Sequence, residues 1–206
     1  MSFIRKYLLP REIDFNAALL AQAKSGHLLI DTLHKASSVG DKTILNSIPA
    51  DAHIAYQLKK QNMSQLLSVF ITPYDKESIY RMITQLDWIA LSVKHFYLEI
   101  EAYEIHSLGD YEKILAIIFE MATALVDGVA QLPEKKLQPI HLRINQIYHE
   151  YDNVVKGCAH ATAGLLLQED IKRIIRHKDM LLQLKEIARR IHISANTLED
   201  MAIKVL

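Results

Sequence analysis

The sequence contains few of the residues that interrupt helices or cross-link secreted domains. Its 206 residues include only six glycines, five prolines and one cysteine. The single cysteine, Cys158, cannot form an internal disulfide, and the start of the chain lacks the apolar run and small-residue cleavage site of a signal peptide. We therefore expect a cytoplasmic protein.

A net charge and a long apolar run are also missing. Lysine plus arginine and aspartate plus glutamate number 24 each, so no bulk field attracts nucleic acid or an anionic bilayer. The longest apolar stretch, residues 115–126, is broken by Glu120 and followed by Asp127. It falls short of the roughly 20 residues that span a bilayer. We expect no nucleic-acid binding and no direct membrane insertion, so any membrane association would require a partner.

Signatures of catalysis and cofactor binding are absent from the sequence. There is no glycine-rich phosphate loop, no HExxH motif, no cysteine pair for zinc and no Glu-x-x-His motif for a di-iron centre. The ten histidines are scattered along the chain. The sequence therefore predicts a protein that is not an enzyme and that needs no cofactor.

Helical periodicity is what the sequence does contain, with no stretch alternating long enough for a sheet. The expected helices cover residues 14–38, 42–69, 72–106, 111–132, from about 139 and from about 170 to the C-terminus. Short connections make neighbouring helices antiparallel. We predict an all-α fold of two tandem antiparallel three-helix bundles, residues 1–106 and 107–206. A four-helix bundle with two additional helices is the alternative.

Two local signals refine these boundaries. Thr72 as N-cap, Pro73 in the first helical position and Asp75 in the third predict a capping box that opens the third helix. Pro49 lies within the second helical region, where proline removes a donor and clashes with the preceding turn. The second helix is therefore either kinked or begins later.

A longer motif resembles a known family. Residues 66–79 read LLSVFITPYDKESI, and residues 86–89 read LDWI. This pattern is similar to the signature of PhoU-like proteins, in the branch of phosphate transport regulators that accompany Pit-type transporters. Residues 9–12 with Phe15, and residues 195–204, also match that branch, so the resemblance covers nearly the whole chain. It implies the same pair of three-helix bundles.

The resemblance implies a function as well as a fold. It suggests a non-enzymatic regulatory or accessory protein that modulates a Pit-type inorganic phosphate transporter from the cytosolic side, held at the inner membrane through that partner. The alternative is a metal-free helical interaction scaffold that has lost the family's metal-dependent role. Another protein partner and a homo-oligomer both stay open. Trp88, Tyr97 and Tyr103 are the candidate docking surface, because the core is not expected to hold all three rings.

PhoU-like proteins repeat an acidic-x-x-x-acidic box on four helices, and the boxes converge on multinuclear metal. The positions that align with these boxes here are Ser47 and Asp51, Asp87 and Leu91, Tyr148 and Asp152, and Lys185 and Arg189. Only three of the eight expected acids remain, so the boxes are degenerate. We expect no metal cluster, and Asp51 and Asp87 are weak candidates for one cation.

The fourth box reverses the sign of its charge. Lys185 and Arg189 place cations where the family has carboxylates. If the last two helices pair as in the family, Asp152 would face these cations, because a partly buried carboxylate requires a partner. The alternative is that all three side chains are solvated. His149 and His192 lie near this box and are expected to pack at the edge of the core.

Overall fold

A computed structural model describes residues 13–204, and every regular element in that range is helical. The α-helices are α1 (Phe15–Val39), α2 (Ile48–Ser68), α3 (Lys76–Ala102), α4 (Glu112–Ala130), α5 (Leu137–Leu165) and α6 (Ile171–Lys204). Short 3₁₀ helices cover Lys42–Ser47, Gly109–Tyr111 and Leu132–Glu134. The all-α prediction is confirmed. Residues 9–12, which contributed to the family resemblance, lie outside the described residues.

The ends of α1 follow from its capping residues. The carboxylate of Asp14 accepts a hydrogen bond from the Ala17 backbone N–H at 3.0 Å. At the other end Gly40 adopts a left-handed conformation with φ 73°, and its N–H donates to the Ala36 carbonyl. A residue with a side chain would be strained there. The chain therefore reverses directly after α1.

Pro49 delays the start of α2. The chain first forms the 3₁₀ helix Lys42–Ser47, and the α-helix begins at Ile48 with the proline in its first turn. Proline is tolerated in that position because its missing N–H would have no intrahelical partner. Of the two sequence interpretations, the later start is the one that the structure adopts.

The predicted capping box at Thr72 is wrong. The helix begins at Lys76, and Asp75 is its N-cap, accepting from the Ser78 N–H at 3.2 Å. The Thr72 hydroxyl donates instead to the Tyr74 carbonyl at 2.7 Å. The Lys76 ammonium donates to the Val69 carbonyl at 2.6 Å and holds the preceding segment as a turn. The observed N-cap therefore lies three residues after the predicted one.

The six helices share one buried apolar cluster. Helix α2 packs against α1 and α3, and α5 packs against α4 and α6. Between these two groups, α1 packs along α4 and α3 packs along α6. The buried side chains therefore form a continuous core rather than two separate ones. The division into domains at residues 106 and 107 stays a prediction.

Helix α4 has the length and apolar composition of a membrane-spanning helix. The most apolar 18 residues of the segment Gly109–Glu134 have a mean hydropathy of 1.7, and half of them are buried within the fold. Helix α4 packs against α1, α5 and α6. Its apolar character is what a central core helix requires, since each of these contacts buries a different part of its surface.

Candidate functional site

In the second predicted box, the acid forms an ion pair with a lysine. Asp87 lies on α3, and its carboxylate is 3.0 Å from the ammonium of Lys59 on α2. Both side chains are partly buried, and the Lys59 ammonium also lies 5.6 Å from the centre of the Tyr56 ring. The positive charge that Asp87 contacts is therefore supplied by the protein itself. Sequence reasoning missed Lys59 because it lies outside every aligned box.

Asp51 lies away from this contact. Helices α2 and α3 are antiparallel with Lys59 opposite Asp87, and Asp51 is eight residues before Lys59. That separation corresponds to about 12 Å along the helix axis. Ser47, the other residue of the first aligned box, is exposed at the start of α2, and Leu91 is half-buried one turn after Asp87. The structure does not bring Asp51 and Asp87 together.

The third box is occupied by an aromatic cluster. The His192 ring of α6 lies 4.9 Å from the Tyr148 ring and 4.7 Å from the Tyr151 ring, both on α5. The Tyr148 hydroxyl lies 2.8 Å from the Asn196 side-chain oxygen and 3.0 Å from the Glu199 carboxylate, and its single proton is shared between these two acceptors. Burial lowers the pKa of His192, and the charge of Asp152 opposes that effect. The Tyr148 side chain therefore makes aromatic packing and hydrogen-bond contacts in the third predicted box.

The cations of the fourth box do not pair with Asp152. The Arg189 guanidinium forms two hydrogen bonds with Glu186, at 2.7 and 2.9 Å. Asp152 is exposed and has no ion-pair partner within 4.0 Å among residues 13–204. Lys185 is half-buried near Cys158, whose thiol pKa is raised to about 11 by burial, with Lys185 opposing. The acid that compensates Arg189 comes from its own helix, three residues earlier.

The residues described by the structure contain no metal-ligand cluster. No three His, Cys, Asp or Glu side chains between residues 13 and 204 are close enough to hold an ion. The arrangement can form ion pairs and stacked aromatic contacts, and these are interactions that position helices.

The three aromatic side chains expected at a docking surface have different environments. Trp88 is 39% exposed, and the Arg190 guanidinium of α6 lies over its ring at 4.3 Å. Tyr97 is half-buried against the core. Tyr103 is also half-buried, and its hydroxyl donates to Asp179 at 3.1 Å. Of the three, only Trp88 retains a substantial exposed surface.

Larger exposed apolar surfaces lie at two interhelical turns. In the α2–α3 turn, Phe70 is 98% and Ile71 is 91% exposed, and Leu67 precedes them. At the α5–α6 turn, Leu167 is 88% exposed, and Ile171, the first residue of α6, is 70% exposed. Sequence reasoning placed Phe70 and Ile71 within the family signature without recognising their exposure. The sequence feature that could have indicated this exposure is their position in a turn, outside the buried face of either helix.

Solved structures of similar fold superpose on nearly the whole chain. No family model matches this chain. A PhoU-like protein from Shewanella oneidensis MR-1 superposes with a TM-score of 0.77, at 12% identity, over 92% of this chain and 100% of that one. A second protein of that organism, provisionally described as a PhoU-like phosphate regulatory protein, superposes with a TM-score of 0.76, at 12% identity, over 93% and 100%. The chain therefore has the PhoU-like fold.

A sequence relative extends the comparison. UPF0111 protein YkaA of Bacillus subtilis (strain 168) is 27% identical over 158 residues, which are 75% of this chain and 74% of the relative. The similarity thus covers most of both chains.

Proposed function

We propose that this protein is a non-enzymatic regulator of inorganic phosphate transport that docks on a Pit-type transporter from the cytosolic side. The PhoU-like fold over 92% of the chain carries this proposal, because one solved neighbour is provisionally described as a phosphate regulatory protein. The signature shared with the transport-regulator branch supports the choice of transporter. The proposed interaction is a contact between two protein surfaces, and we propose no reaction for this chain.

The α2–α3 turn is the proposed contact with the transporter. Phe70 and Ile71 project from the turn with nearly all of their surface exposed. Exposed apolar groups in a contiguous patch favour a protein partner over water. The charges beside the turn are internally satisfied, since Lys76 donates to Val69 and Arg81 pairs with Glu77 at 3.0 Å. An apolar contact with few charges is therefore expected.

Phosphate uptake tests this proposal. The chain would be expressed with a Pit-type transporter in cells that lack other phosphate carriers, and uptake of radiolabelled phosphate would be measured. We expect the chain to change the uptake rate and to co-purify with the transporter. The double variant Phe70→Ser with Ile71→Ser should lose both effects, because it removes the apolar contact while the core stays intact.

A matched control separates this contact from general surface polarity. Leu98 and Leu142 are also exposed, on α3 and α5, away from the turn. Leu98→Ser with Leu142→Ser should leave uptake and co-purification as in the wild type. An uptake rate that does not respond to the chain would overturn the proposal and favour the metal-free interaction scaffold.

A further inference from the structure

The outer side of the α5–α6 hairpin carries an apolar stripe of its own. Ile171, Ile175 and Leu182 follow helical spacing along α6 and are all exposed. Leu166 and Leu167 continue the stripe across the turn, with large exposed fractions. The α6 part alone extends about 16 Å along the helix. Isolated exposed apolar side chains are common on protein surfaces, but a contiguous apolar stripe of this length is typical of an interaction site.

Lysines flank this stripe and lack acidic partners. Lys172 and Lys178 on α6 and Lys156 on α5 are exposed, and Lys185 is half-buried further along α6. Among residues 13–204, none of these four ammonium groups lies within 4.0 Å of a carboxylate. We call the five aliphatic residues and four lysines together the basic-apolar face.

Other charges near the hairpin are used within the fold. Arg173 pairs with Asp110 at 3.0 Å, and Arg176 donates to the Tyr103 carbonyl at 3.2 Å. Asp170 caps α6 by accepting from the Arg173 N–H. Glu169 and Asp170, in the turn, and Asp152, in the middle of α5 and one turn before Lys156, are the exposed acids on this side. The four lysines without carboxylate partners outnumber these three acids, so this side has a small net positive charge, although the whole chain has none.

We propose that the basic-apolar face adsorbs directly to the surface of an anionic lipid bilayer. Aliphatic side chains would enter the headgroup boundary, and the lysines would contact lipid phosphates. Charge complementarity favours lipid here over a protein, because the cations are lysines on flexible stems that lack built partners. At the α2–α3 turn, by contrast, the nearby cations are already bound. This inference goes beyond the proposed function and does not depend on the transporter.

Co-sedimentation with protein-free vesicles tests the inference. Purified full-length chain would be mixed with vesicles of phosphatidylcholine alone, or of phosphatidylcholine with phosphatidylglycerol. We expect binding only to the anionic vesicles, and weaker binding as salt is raised, because salt screens the lysines. Each lysine near an anionic surface strengthens binding by about fivefold. Lys172→Gln with Lys178→Gln should therefore weaken binding more than about tenfold.

Two further variants identify the face. Leu167→Ser with Ile171→Ser should also weaken binding, since these side chains supply the apolar contact. The control Leu67→Ser with Phe70→Ser alters the opposite turn and should bind as the wild type does. Helical content measured by circular dichroism would show that each variant is folded.

Three results would overturn the inference. One is equal binding to neutral and anionic vesicles, and another is an undiminished affinity in the lysine variant. The third is binding to native membranes but not to protein-free vesicles, which would make the face a protein contact. None of these results bears on phosphate uptake, so the proposed function would stand or fall separately.

Discussion

A single residue pair, Lys59 and Asp87, shows that an acid considered as a candidate metal ligand from the sequence forms an ion pair in the structure. The two charged atoms are 3.0 Å apart, and both side chains are partly shielded from water. Removing one partner would leave the other partly buried without compensation, which is costly. The same logic underlies the expectation about Asp152, but there the carboxylate is exposed and water compensates it. Of these two acids, only the partly buried one has a cation partner.

At Tyr148 we predict a measurable contribution from one hydroxyl group. Its single proton is shared between Asn196 and Glu199, and burial together with Glu199 raises the pKa of Tyr148 to about 12. The hydroxyl therefore keeps its proton at neutral pH. Tyr148→Phe should lower the free energy of unfolding by about 1 kcal/mol, measured by urea denaturation.

The neighbouring Tyr151 provides the control. Its ring also contacts His192, but its hydroxyl makes no hydrogen bond to residues 13–204. Tyr151→Phe should change stability by less than half as much. Equal losses in the two variants would show that ring packing, and not the hydrogen bonds of Tyr148, stabilises this cluster.

Among the elements, helix type and order could be predicted from sequence, but helix register could not. Asp14, Gly40 and Pro49 fix boundaries locally, so periodicity and capping chemistry were sufficient there. The pairing of Lys59 with Asp87 depends on turn length and on how α2 slides against α3. An i, i+4 spacing fits many alignments of one helix against another. The first predicted box, at Asp51, therefore lies about two helical turns from Lys59, the residue that contacts Asp87.

Buried amides are a second feature that periodicity does not reveal. Gln22 of α1 and Asn62 of α2 are both 2% exposed. The Asn62 amide donates to Gln22 at 2.9 Å, and Gln22 donates to the Ile83 carbonyl of α3 at 2.7 Å. These bonds join three helices at one level. A polar residue on a helix is expected at the surface, so sequence reasoning had no basis for placing this contact inside.

Helix α4 approaches α6 closely at Gly128, and we predict that a methyl group there is destabilising. A Cβ atom would lie 2.7 Å from Leu198 Cδ2, and Leu198 is fully buried. Alanine improves helix propensity by up to about 1 kcal/mol, but overpacking typically costs about 1–3 kcal/mol. Gly128→Ala should therefore lower the melting temperature.

Gly164 in α5 is the matched control for this prediction. A Cβ atom there would meet nothing within 4 Å, so only helix propensity should change. Gly164→Ala should stabilise by up to about 1 kcal/mol. A Gly128→Ala protein that melts at or above the wild-type temperature would show that Leu198 moves aside freely.

On the scale of the whole molecule, the contact between helix groups determines how the chain unfolds. Helices α1 and α4 pack along each other, as do α3 and α6, and the buried cluster runs through both contacts. The single tryptophan, Trp88, lies on α3 beneath Arg190 of α6. Its fluorescence therefore reports the joining of the two groups, while circular dichroism reports all helices.

We predict that the chain unfolds as one cooperative unit, so that the urea transitions followed by Trp88 fluorescence and by circular dichroism coincide. Leu66 is buried in α2, far along the chain from α6. Leu66→Ala should lose about 2–5 kcal/mol and shift both transitions together, because α1 and α3 cannot unfold without exposing their faces on α4 and α6. If residues 1–106 were an independent domain, the variant would instead show two steps, with about half of the helical signal retained up to the wild-type midpoint.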